Sequence, residues 1–208
     1  MRLVVASRNE HKLRELAGLL AGHDVVALPA DVELPPETGE TFEANARVKA
    51  RVAADATGTP AIADDSGIEA AALGGRPGVR SARFAGPDAS DEENLAKLLR
   101  EVPADGDRRV AYVCALAFVR PGGGEEQVFE ARCTGTLTGE PRGDGGFGYD
   151  PAFVPDDTGD GRTMAELDPA EKDAISHRGR AARLFADWLA TQPGGEARAT
   201  APDRDVGP

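Results

Sequence analysis

A long hairpin is the feature that most constrains the fold of this chain of 208 residues. Two strand-like runs, 109–119 and 127–136, flank the glycine-rich segment 120–126, which predicts an antiparallel pair of strands. A core of this size needs no disulfide or metal for stability. We therefore expect one domain, or one domain folded as two lobes around a cleft, in which the hairpin could form the second lobe.

Shorter elements precede the hairpin. Apolar runs predict three strands, at residues 2–6, 25–28 and 61–63. Two amphipathic helices are predicted between them, at residues 10–21 and 41–57. Asn9 or Ser7 is the expected cap of the first helix and Thr41 that of the second.

Two more helices are predicted around the hairpin. Ser90 and Glu93 form a capping box for the helix that precedes it. The last helix is expected to begin near Ser176 and to bury three large apolar side chains, Phe185, Trp188 and Leu189. Residues 139–157, rich in glycine, are predicted to form a loop.

The charge balance excludes some partners. Asp and Glu outnumber Lys and Arg by 36 to 24, which gives a formal net charge of -12. Nucleic acid and anionic membranes are polyanions, so we expect neither as a partner, and any phosphate site must be a local basic cluster. Because Met1 leads directly into the short apolar run 3–6, and no apolar run is long enough to cross a bilayer, we expect a cytoplasmic protein.

The cysteines and the C-terminal segment are not expected to carry chemistry. Cys114 and Cys133 fall in the predicted hairpin without metal-ligand spacing, so we interpret them as buried apolar residues. A cross-strand disulfide is the less favoured alternative. The domain is predicted to span residues 1–192, and residues 193–208, composed of Gly, Pro, Ala and charged residues, to form a disordered tail.

Two helix starts carry residue types that suit phosphate. Residues 7–12 read Ser-Arg-Asn-Glu-His-Lys at a junction of strand and helix, where free backbone N–H groups favour an anion. Asn9 and Lys12 lie three apart there, and Asn45 and Lys49 lie four apart on the second helix, so each pair shares a face. For residues 7–12 taken alone, a capping residue and a solvated lysine are the simpler interpretation. For Asn45 and Lys49, an ordinary solvated helix face is an equally good alternative.

Adjacent carboxylates follow the third predicted strand. Asp64 and Asp65 stand in the sequence Ala-Asp-Asp-Ser-Gly, which we interpret as an acidic turn. Two such charges in a low-dielectric site need a compensating cation or hydrogen bonds, and Mg²⁺ is the natural candidate. Neighbouring residues of an extended chain point to opposite faces, so one carboxylate is expected to face the cleft and the other to support it. A turn in which Asp65 or Ser66 only caps the backbone is the alternative.

Aromatic and basic residues in the last third of the chain suit a nucleobase. Phe147 and Tyr149 stand in the sequence GGFGYDP, where the rings could either stack on a base or fill the core. Lys172, His177 and Arg178 concentrate hydrogen-bond donors in the sequence EKDAISHRG. A lone histidine at a helix start is more often structural, so His177 gains weight only from its neighbours.

Taken together, these segments resemble the family of inosine triphosphate pyrophosphatases, also called the Ham1-like family. The matching blocks are SRNEHKLRE, ETGETFEANARVKA, ADDSGIEAAALGGRPGVRSARFAG, GGFGYDPAFVP and MAELDPAEKDAISHRGRA, in the family's order. The resemblance implies a homodimeric α/β fold of the Maf/Ham1-like type, with an elongated mixed β-sheet in two lobes, flanking helices and a central nucleotide cleft. It also implies hydrolysis of ITP, dITP and XTP to the monophosphate and pyrophosphate, which cleanses the nucleotide pool.

The resemblance further implies roles for individual residues. Asp65 matches a catalytic carboxylate that accepts a proton and binds Mg²⁺, Glu37 matches the second metal residue, and Lys49 is expected to act in catalysis beside them. The positions matched to the phosphate side are Ser7, Arg8, Asn9, Glu10, His11, Lys12 and Ser66. The positions matched to base and sugar are Phe147, Gly148, Tyr149, Asp150, Lys172, His177 and Arg178.

Two positions depart from the family's pattern. The first block commonly reads Thr-Gly-Asn, so Ser7 replaces the threonine, and we expect the Arg8 side chain to point away. Ala44 stands where a glutamate usually precedes the asparagine, with Glu43 one place earlier. That shift turns the carboxylate by about 100° around the helix, which favours Glu37 and Asp65 as the metal residues.

The resemblance implies one mechanism, and three alternative functions are less favoured. A metal-activated water, with Asp65 as base, would attack the α-phosphorus, while Lys12, Lys49 and Lys172 neutralise the triphosphate. A pyrophosphatase for modified pyrimidine nucleotides is disfavoured by the Ser-His-Arg block, and a non-catalytic nucleotide sensor by the presence of Asp65 and Glu37. The net charge disfavours an RNA-binding module.

Overall fold

The computed structural model describes residues 1–192; the predicted tail, 193–208, lies outside the described residues. Its centre is a six-stranded mixed sheet in the order β2-β1-β3-β4-β5-β6. The parallel part comprises β1 (Arg2–Val5), β2 (Asp24–Ala27) and the pairing of β1 with β3 (Ala61–Ala70). The antiparallel part continues with β4 (Arg109–Val119), β5 (Glu126–Leu137) and β6 (Phe153–Pro155). The predicted mixed α/β fold and its long hairpin are confirmed.

Five α-helices flank the sheet in the described part of the chain: α1 (Glu10–Leu19), α2 (Phe42–Thr57), α3 (Asp91–Glu101), α4 (Pro169–Ile175) and α5 (His177–Ala190). The predicted helix starts are confirmed, because the side chains of Asn9, Thr41, Ser90 and Ser176 accept backbone N–H groups of the first turns. Helix α1 ends two residues before its predicted end. Helix α4 was not predicted; a capping box of Asp168 and Glu171 begins it, with a proline in its first turn.

The core has two halves joined by the hairpin. In one half, α2 packs on one face of the sheet through small residues such as Ala46 and Ala50, and α1 and α5 pack on the other face around Phe118 and Phe185. In the other half, α3 and the segments after β5 pack around Ile68. The arrangement of the chain as two lobes around a cleft stays a prediction. Trp188 is half-buried rather than buried, although its ring packs against Phe118, Phe129 and Phe185.

Strand β3 is longer than predicted, and this difference shapes the site. Residues 64–67 are not a turn, because β4 offers a partner to each of them, from Asp64↔Leu116 to Gly67↔Val113. The pairing overrides the turn preference of Asp, Ser and Gly. Among the described residues, β1 pairs with β3 only through Ala61 and Ile62. Beyond Ile62, β3 therefore presents an edge toward the segment 7–12.

The structure also bears on the predicted loop 139–157 and on the two cysteines. The predicted loop 139–157 contains the short strand β6, which closes the sheet against β5. Cys114 and Cys133 are buried and unpaired, as preferred. Within residues 1–192, no helix combines the length and apolar content needed to cross a bilayer.

Candidate active site

Strand β3 separates its two aspartates onto opposite faces of the sheet. Asp65 points toward α2, whereas Asp64 points toward α1 and α5. Both carboxylates are buried, with relative exposures of 5% and 0%. The alternation expected of an extended chain thus holds, and each aspartate gathers its own set of partners.

The Asp65 face combines two carboxylates with a lysine. The Lys49 Nζ lies 2.6 Å from Glu37 Oε1 and 3.3 Å from Asp65 Oδ1, and it donates to the Asp64 carbonyl at 3.0 Å. Asn45, one turn earlier on α2, donates to Asp65 Oδ2 at 3.0 Å. The shared helix face of Asn45 and Lys49 therefore converges on Asp65.

The pKa values of the two carboxylates of this face are shifted in opposite directions. Burial raises the pKa of Asp65, and the nearby charge of Glu37 raises it further, against the lysines. Burial also acts on Glu37, but Lys49 outweighs it and lowers the pKa of Glu37. Arg83 supports Glu37 from outside, since its guanidinium donates to the Glu37 carbonyl at 3.0 Å. Asp65 is thus the carboxyl that holds a proton more readily.

The Asp64 face is fully paired. Arg178 donates through Nε to Asp64 Oδ2 at 2.9 Å, Cys114 Sγ lies 3.0 Å from the same oxygen, and Lys12 forms an ion pair with Oδ1. Ser66 donates to Oδ1 at 3.0 Å and accepts from Arg178. Burial alone would raise the pKa of Asp64, but Arg178 and Lys12 hold the pKa well below its ordinary value. Cys114 is therefore more than an apolar filler.

A second carboxylate, Glu15 of α1, extends this network. Its Oε1 accepts from Lys172 Nζ at 2.8 Å, and its other oxygen pairs with Arg178. Lys172 also donates to Asp150 at 2.9 Å. Burial would raise the pKa of Glu15, but these cations lower it. The basic residues of the last block are thus held in place by acids from three distant segments.

A cavity of about 110 Å³ opens on the Asp64 face. Its lining includes Lys12, Ser66, Phe147, Lys172, His177 and Arg178. The volume is well below the roughly 300–1,000 Å³ of typical ligand pockets, so the cavity suits one ring system rather than a whole nucleotide. Because Lys12 lines the cavity and its charge also reaches Glu37 and Asp65, the two faces of β3 meet at this lysine.

The aromatic loop, residues 145–151, contributes two rings to the cavity lining, Phe147 and Tyr149. Phe147 is half-buried. Tyr149 is 5% exposed and donates its hydroxyl to the Ser81 carbonyl at 2.7 Å, so its ring both lines the cavity and packs in the core. Asp150 accepts from the Phe147 N–H at 2.9 Å and from the Tyr112 hydroxyl at 3.0 Å. Its carboxylate therefore holds the loop together, and the adjacent Gly148 donates its N–H to Asp91 at 2.8 Å.

His177 lies in the cavity wall, stacked on Tyr112 with ring centroids 4.6 Å apart. Its buried Nδ1 has no hydrogen-bond partner in the described structure. Burial lowers the pKa of His177 well below its ordinary value, and the charge of Arg178 lowers it further. The ring is thus a neutral polar group turned into the cavity wall.

The side chains of residues 7–12 lie in different places: some reach the cavity or Asp64, and others do not. Lys12 reaches Asp64, and Asn9 lines the cavity while its side-chain oxygen Oδ1 accepts the N–H groups that begin α1. Ser7 accepts the Asn9 N–H at 3.1 Å. Arg8 points away, as expected from the sequence, and its guanidinium donates to the carbonyls of residues 28, 29, 30 and 32. It therefore braces the segment after β2 and does not line the cavity. Its role as a substrate contact, which the resemblance implies, stays a prediction.

The other two residues of this segment are exposed. Glu10 begins α1 and does not line the cavity. His11 stacks on Phe147, so it lies at the aromatic end and not beside the carboxylates.

Sequence reasoning missed several residues of the site. Glu15 follows Lys12 by three positions on α1, a spacing that places both on one face and could have identified it. Tyr112 and Arg83 carry no local signal, because only the packing of β4 and of the segment after β3 brings them to Asp150 and Glu37.

The Asp65 face has the donor set for a magnesium-type cation. Glu37 and Asp65 supply two carboxylates, and within residues 1–192 no group of three or more His, Cys, Asp or Glu could hold a metal by itself. Mg²⁺ is commonly held by one or two carboxylates together with water and substrate phosphates. The residues therefore fit a cation that arrives with a phosphate ligand.

Comparison with known proteins agrees with this geometry. A sequence profile described as the Ham1 family matches residues 3–188. A dITP/XTP pyrophosphatase of Mycolicibacterium paratuberculosis is 52% identical over 199 residues, covering 91% of this chain and 96% of that protein. Its counterpart in Mycobacterium tuberculosis is 54% identical over 198 residues, covering 90% and 95%.

Solved structures are similar over nearly the same span. A HAM1 protein from Coxiella burnetii superposes with a TM-score of 0.81 at 40% identity, covering 92% of this chain and 100% of that one. A nucleoside-triphosphatase, dITP/XTP pyrophosphatase, from Mycobacterium abscessus superposes with a TM-score of 0.71 at 46% identity, covering 89% and 98%.

Proposed function

We propose, from the premise that the chain belongs to the Ham1 family, that it is a nucleoside-triphosphate pyrophosphatase. It hydrolyses the non-canonical purine nucleotides ITP, dITP and XTP to the monophosphate and pyrophosphate. The proposal is supported by relatives named dITP/XTP pyrophosphatase that match along almost their whole length.

One observation of the structure carries the proposal. A cavity of ring size and a pair of carboxylates lie on the two faces of the same strand, and Lys12 acts on both. A purine in the cavity would direct its triphosphate toward Lys12 and then toward Glu37, Asp65 and Lys49. The arrangement supports chemistry on a phosphoanhydride rather than on the base.

The proposed reaction breaks the bond between the α-phosphorus and the bridging oxygen. Asp65 accepts a proton from the attacking water, a role suited to a carboxyl whose pKa is raised by burial and by Glu37. Lys49 and Lys12 neutralise charge on the triphosphate oxygens, and Asn45 fixes the orientation of Asp65. Mg²⁺, held by Glu37 and Asp65 when bound, would polarise the phosphate oxygens and lower the pKa of a bound water.

Choice of base follows from the donors around the cavity. Lys172 has three N–H donors and gives two to Glu15 and Asp150, so one is free for a ligand. A 6-oxo purine accepts such a hydrogen bond. Adenine presents an amino donor at the same place, so donor would face donor, at about 1 to 3 kcal/mol for each group left unpaired. The hydrogen-bond pattern explains why ATP would be a poor substrate. It does not by itself exclude GTP, which also has a 6-oxo group.

The proposal also includes Mg²⁺ as the cation, a homodimer in solution and a cytoplasmic location where the nucleotide pool is found. These three follow from the family resemblance. Light scattering during gel filtration measures the mass in solution, and a monomer mass would contradict the dimer.

The testing experiment is pyrophosphate release from ITP, XTP, GTP, ATP and dUTP, with Mg²⁺ and then with chelator. Rapid release from ITP and XTP that stops with chelator is the expected result. Release from dUTP in preference to ITP would favour the pyrimidine rival. Binding of ITP without release from any nucleotide would favour the sensor.

A further inference from the structure

A ring contact joins the helix α1 to the aromatic loop across the mouth of the cavity. The imidazole of His11 and the phenyl ring of Phe147 are stacked, with centroids 5.1 Å apart and planes inclined by 30°. His11 lies in the first turn of α1, 136 positions before its partner, since 147 − 11 = 136. The contact therefore forms only when α1 and the loop take up their relative positions in the folded protein.

Of the two stacked rings, Phe147 is the one that faces the cavity. Phe147 lines the cavity, as do Lys172 and Arg178, whose charged groups lie 5.0 and 5.7 Å from the centre of its ring. His11 is not part of the lining. The phenyl ring thus stands between the imidazole and the cavity, and a base in the cavity would meet Phe147 and not His11.

The phenyl ring needs such support. Its loop is anchored through the backbone, where the N–H groups of Phe147 and Gly148 donate to Asp150 and Asp91. The glycines on both sides have positive φ, 70° at Gly146 and 64° at Gly148, so they shape the turn and add no side-chain packing. The half-buried ring keeps rotamer freedom unless a neighbour covers its outer face.

Arg14 orients the imidazole. Its Nη2 lies 2.8 Å from His11 Nδ1. A guanidinium can only donate, so Nδ1 is the acceptor of this contact. Arg14 therefore holds the imidazole from the next turn of α1. An imidazole on a phenyl face is an ordinary aromatic stack.

We propose that His11 is a positioning residue for purine recognition: it holds Phe147 over the cavity, so that the bound state is a stack of imidazole, phenyl ring and purine. The inference rests on the proposed function and adds a residue to its base site. His11 acts through Phe147, so it affects how well the base is bound and not the reaction at the α-phosphorus.

The test is the steady-state kinetics of ITP hydrolysis by full-length His11→Ala. We expect KM to rise about twofold to tenfold, the range given by the loss of one aromatic pair, while kcat at saturating ITP stays at the wild-type value. His11→Phe, which restores a ring, should return KM to near the wild-type value. A structural role of the helix would move kcat and KM together, and an aromatic residue would not rescue it.

A double-mutant cycle shows whether His11 acts through Phe147. In a Phe147→Leu background, His11→Ala should change KM no further, because the ring that it supports is gone. His23→Ala is the matched control, since His23 lies beyond the opposite end of α1, and it should leave KM unchanged. Equal KM values for wild type and His11→Ala, or additive effects of the two substitutions, overturn the inference alone. A wild-type protein that releases no pyrophosphate from any purine triphosphate overturns the proposed function and this inference with it.

Discussion

The two faces of β3 place the same side chain in opposite electrostatic situations. Asp64 is enclosed by Arg178, Lys12, Cys114 and Ser66, and its pKa lies well below the ordinary value. Asp65, its neighbour in sequence, shares one lysine with Glu37, and its pKa is raised. The surroundings of Asp64 stabilise its charged form, whereas burial and Glu37 disfavour the charged form of Asp65.

The difference indicates a division of labour. A buried carboxylate with several cationic partners organises its surroundings, because removing its charge leaves those cations without compensation. A carboxylate whose charge is only partly compensated can respond to a cation, a proton or a phosphate. Asp64 therefore supports the site, and Asp65 is the candidate for chemistry. The predictions below test this separation, in order of decreasing effect.

The substitution Asp65→Asn should give the largest effect. It removes the proposed proton acceptor while preserving shape, so we expect kcat for ITP to fall by about a thousandfold or more. The free energy of unfolding should change little, because burial and the charge of Glu37 already disfavour the charged form of Asp65 in the folded protein relative to the unfolded chain. Pyrophosphate release and denaturant unfolding measure the two quantities, with binding of ITP by calorimetry as the control for a folded site. Wild-type turnover in this variant would contradict the assignment of Asp65.

The substitution Asp64→Asn should have the opposite profile. Arg178 and Lys12 would lose their buried counter-charge, and breaking such a pair destabilises a protein by about 3 to 5 kcal/mol. For a chain of this length that loss corresponds to a decrease in Tm of very roughly 6 to 20 °C. Thermal unfolding of the two aspartate variants side by side is the measurement. Equal stability of the two would show that the faces of β3 do not differ as described.

The substitution Phe147→Ala tests the aromatic end of the Asp64 face. Loss of a stacking ring costs about 1 to 3 kcal/mol, so KM should rise about fivefold to a hundredfold, by similar factors for ITP and XTP. Steady-state kinetics on both substrates provide the measurement. Unaltered KM values would show that the ring serves only the core.

The smallest effect concerns pH. Burial lowers the pKa of His177, so below about pH 6.5 the unfolded chain binds a proton that the folded protein excludes. The free energy of unfolding should therefore decrease as pH falls below 6.5, by up to about 1.4 kcal/mol per pH unit from this group. In His177→Gln that part of the slope should disappear. The part of the slope that is due to His23 should persist, because burial lowers the pKa of that histidine as well. An identical slope in both proteins would contradict a buried neutral His177.

Local patterns in the sequence were sufficient for much of the fold. The hairpin and the caps at Asn9, Thr41, Ser90 and Ser176 depend on neighbouring residues, and all were predicted. The alternation that separates Asp64 from Asp65 follows from extended geometry alone. The extent of β3 could not be read locally, because Asp, Ser and Gly favour turns unless a partner strand pairs with them.

The pairing within the site was beyond sequence reasoning. Lys172 meets Glu15 across 157 positions and Asp150 across 22, and neither contact leaves a periodic signal. The resemblance named the basic residues and Asp150, but it did not name Glu15. The partners of the fully buried Arg178 could not be predicted either, because they depend on how α1, β3 and α5 pack.

The contacts of Arg8 have a consequence for motion. By binding four carbonyls of residues 28–32, this side chain fastens the segment after β2 to the strand-helix junction that carries Asn9 and Lys12. Two stretches of chain that are separate in sequence are thus joined by four hydrogen bonds. A displacement of one stretch should therefore carry the other with it.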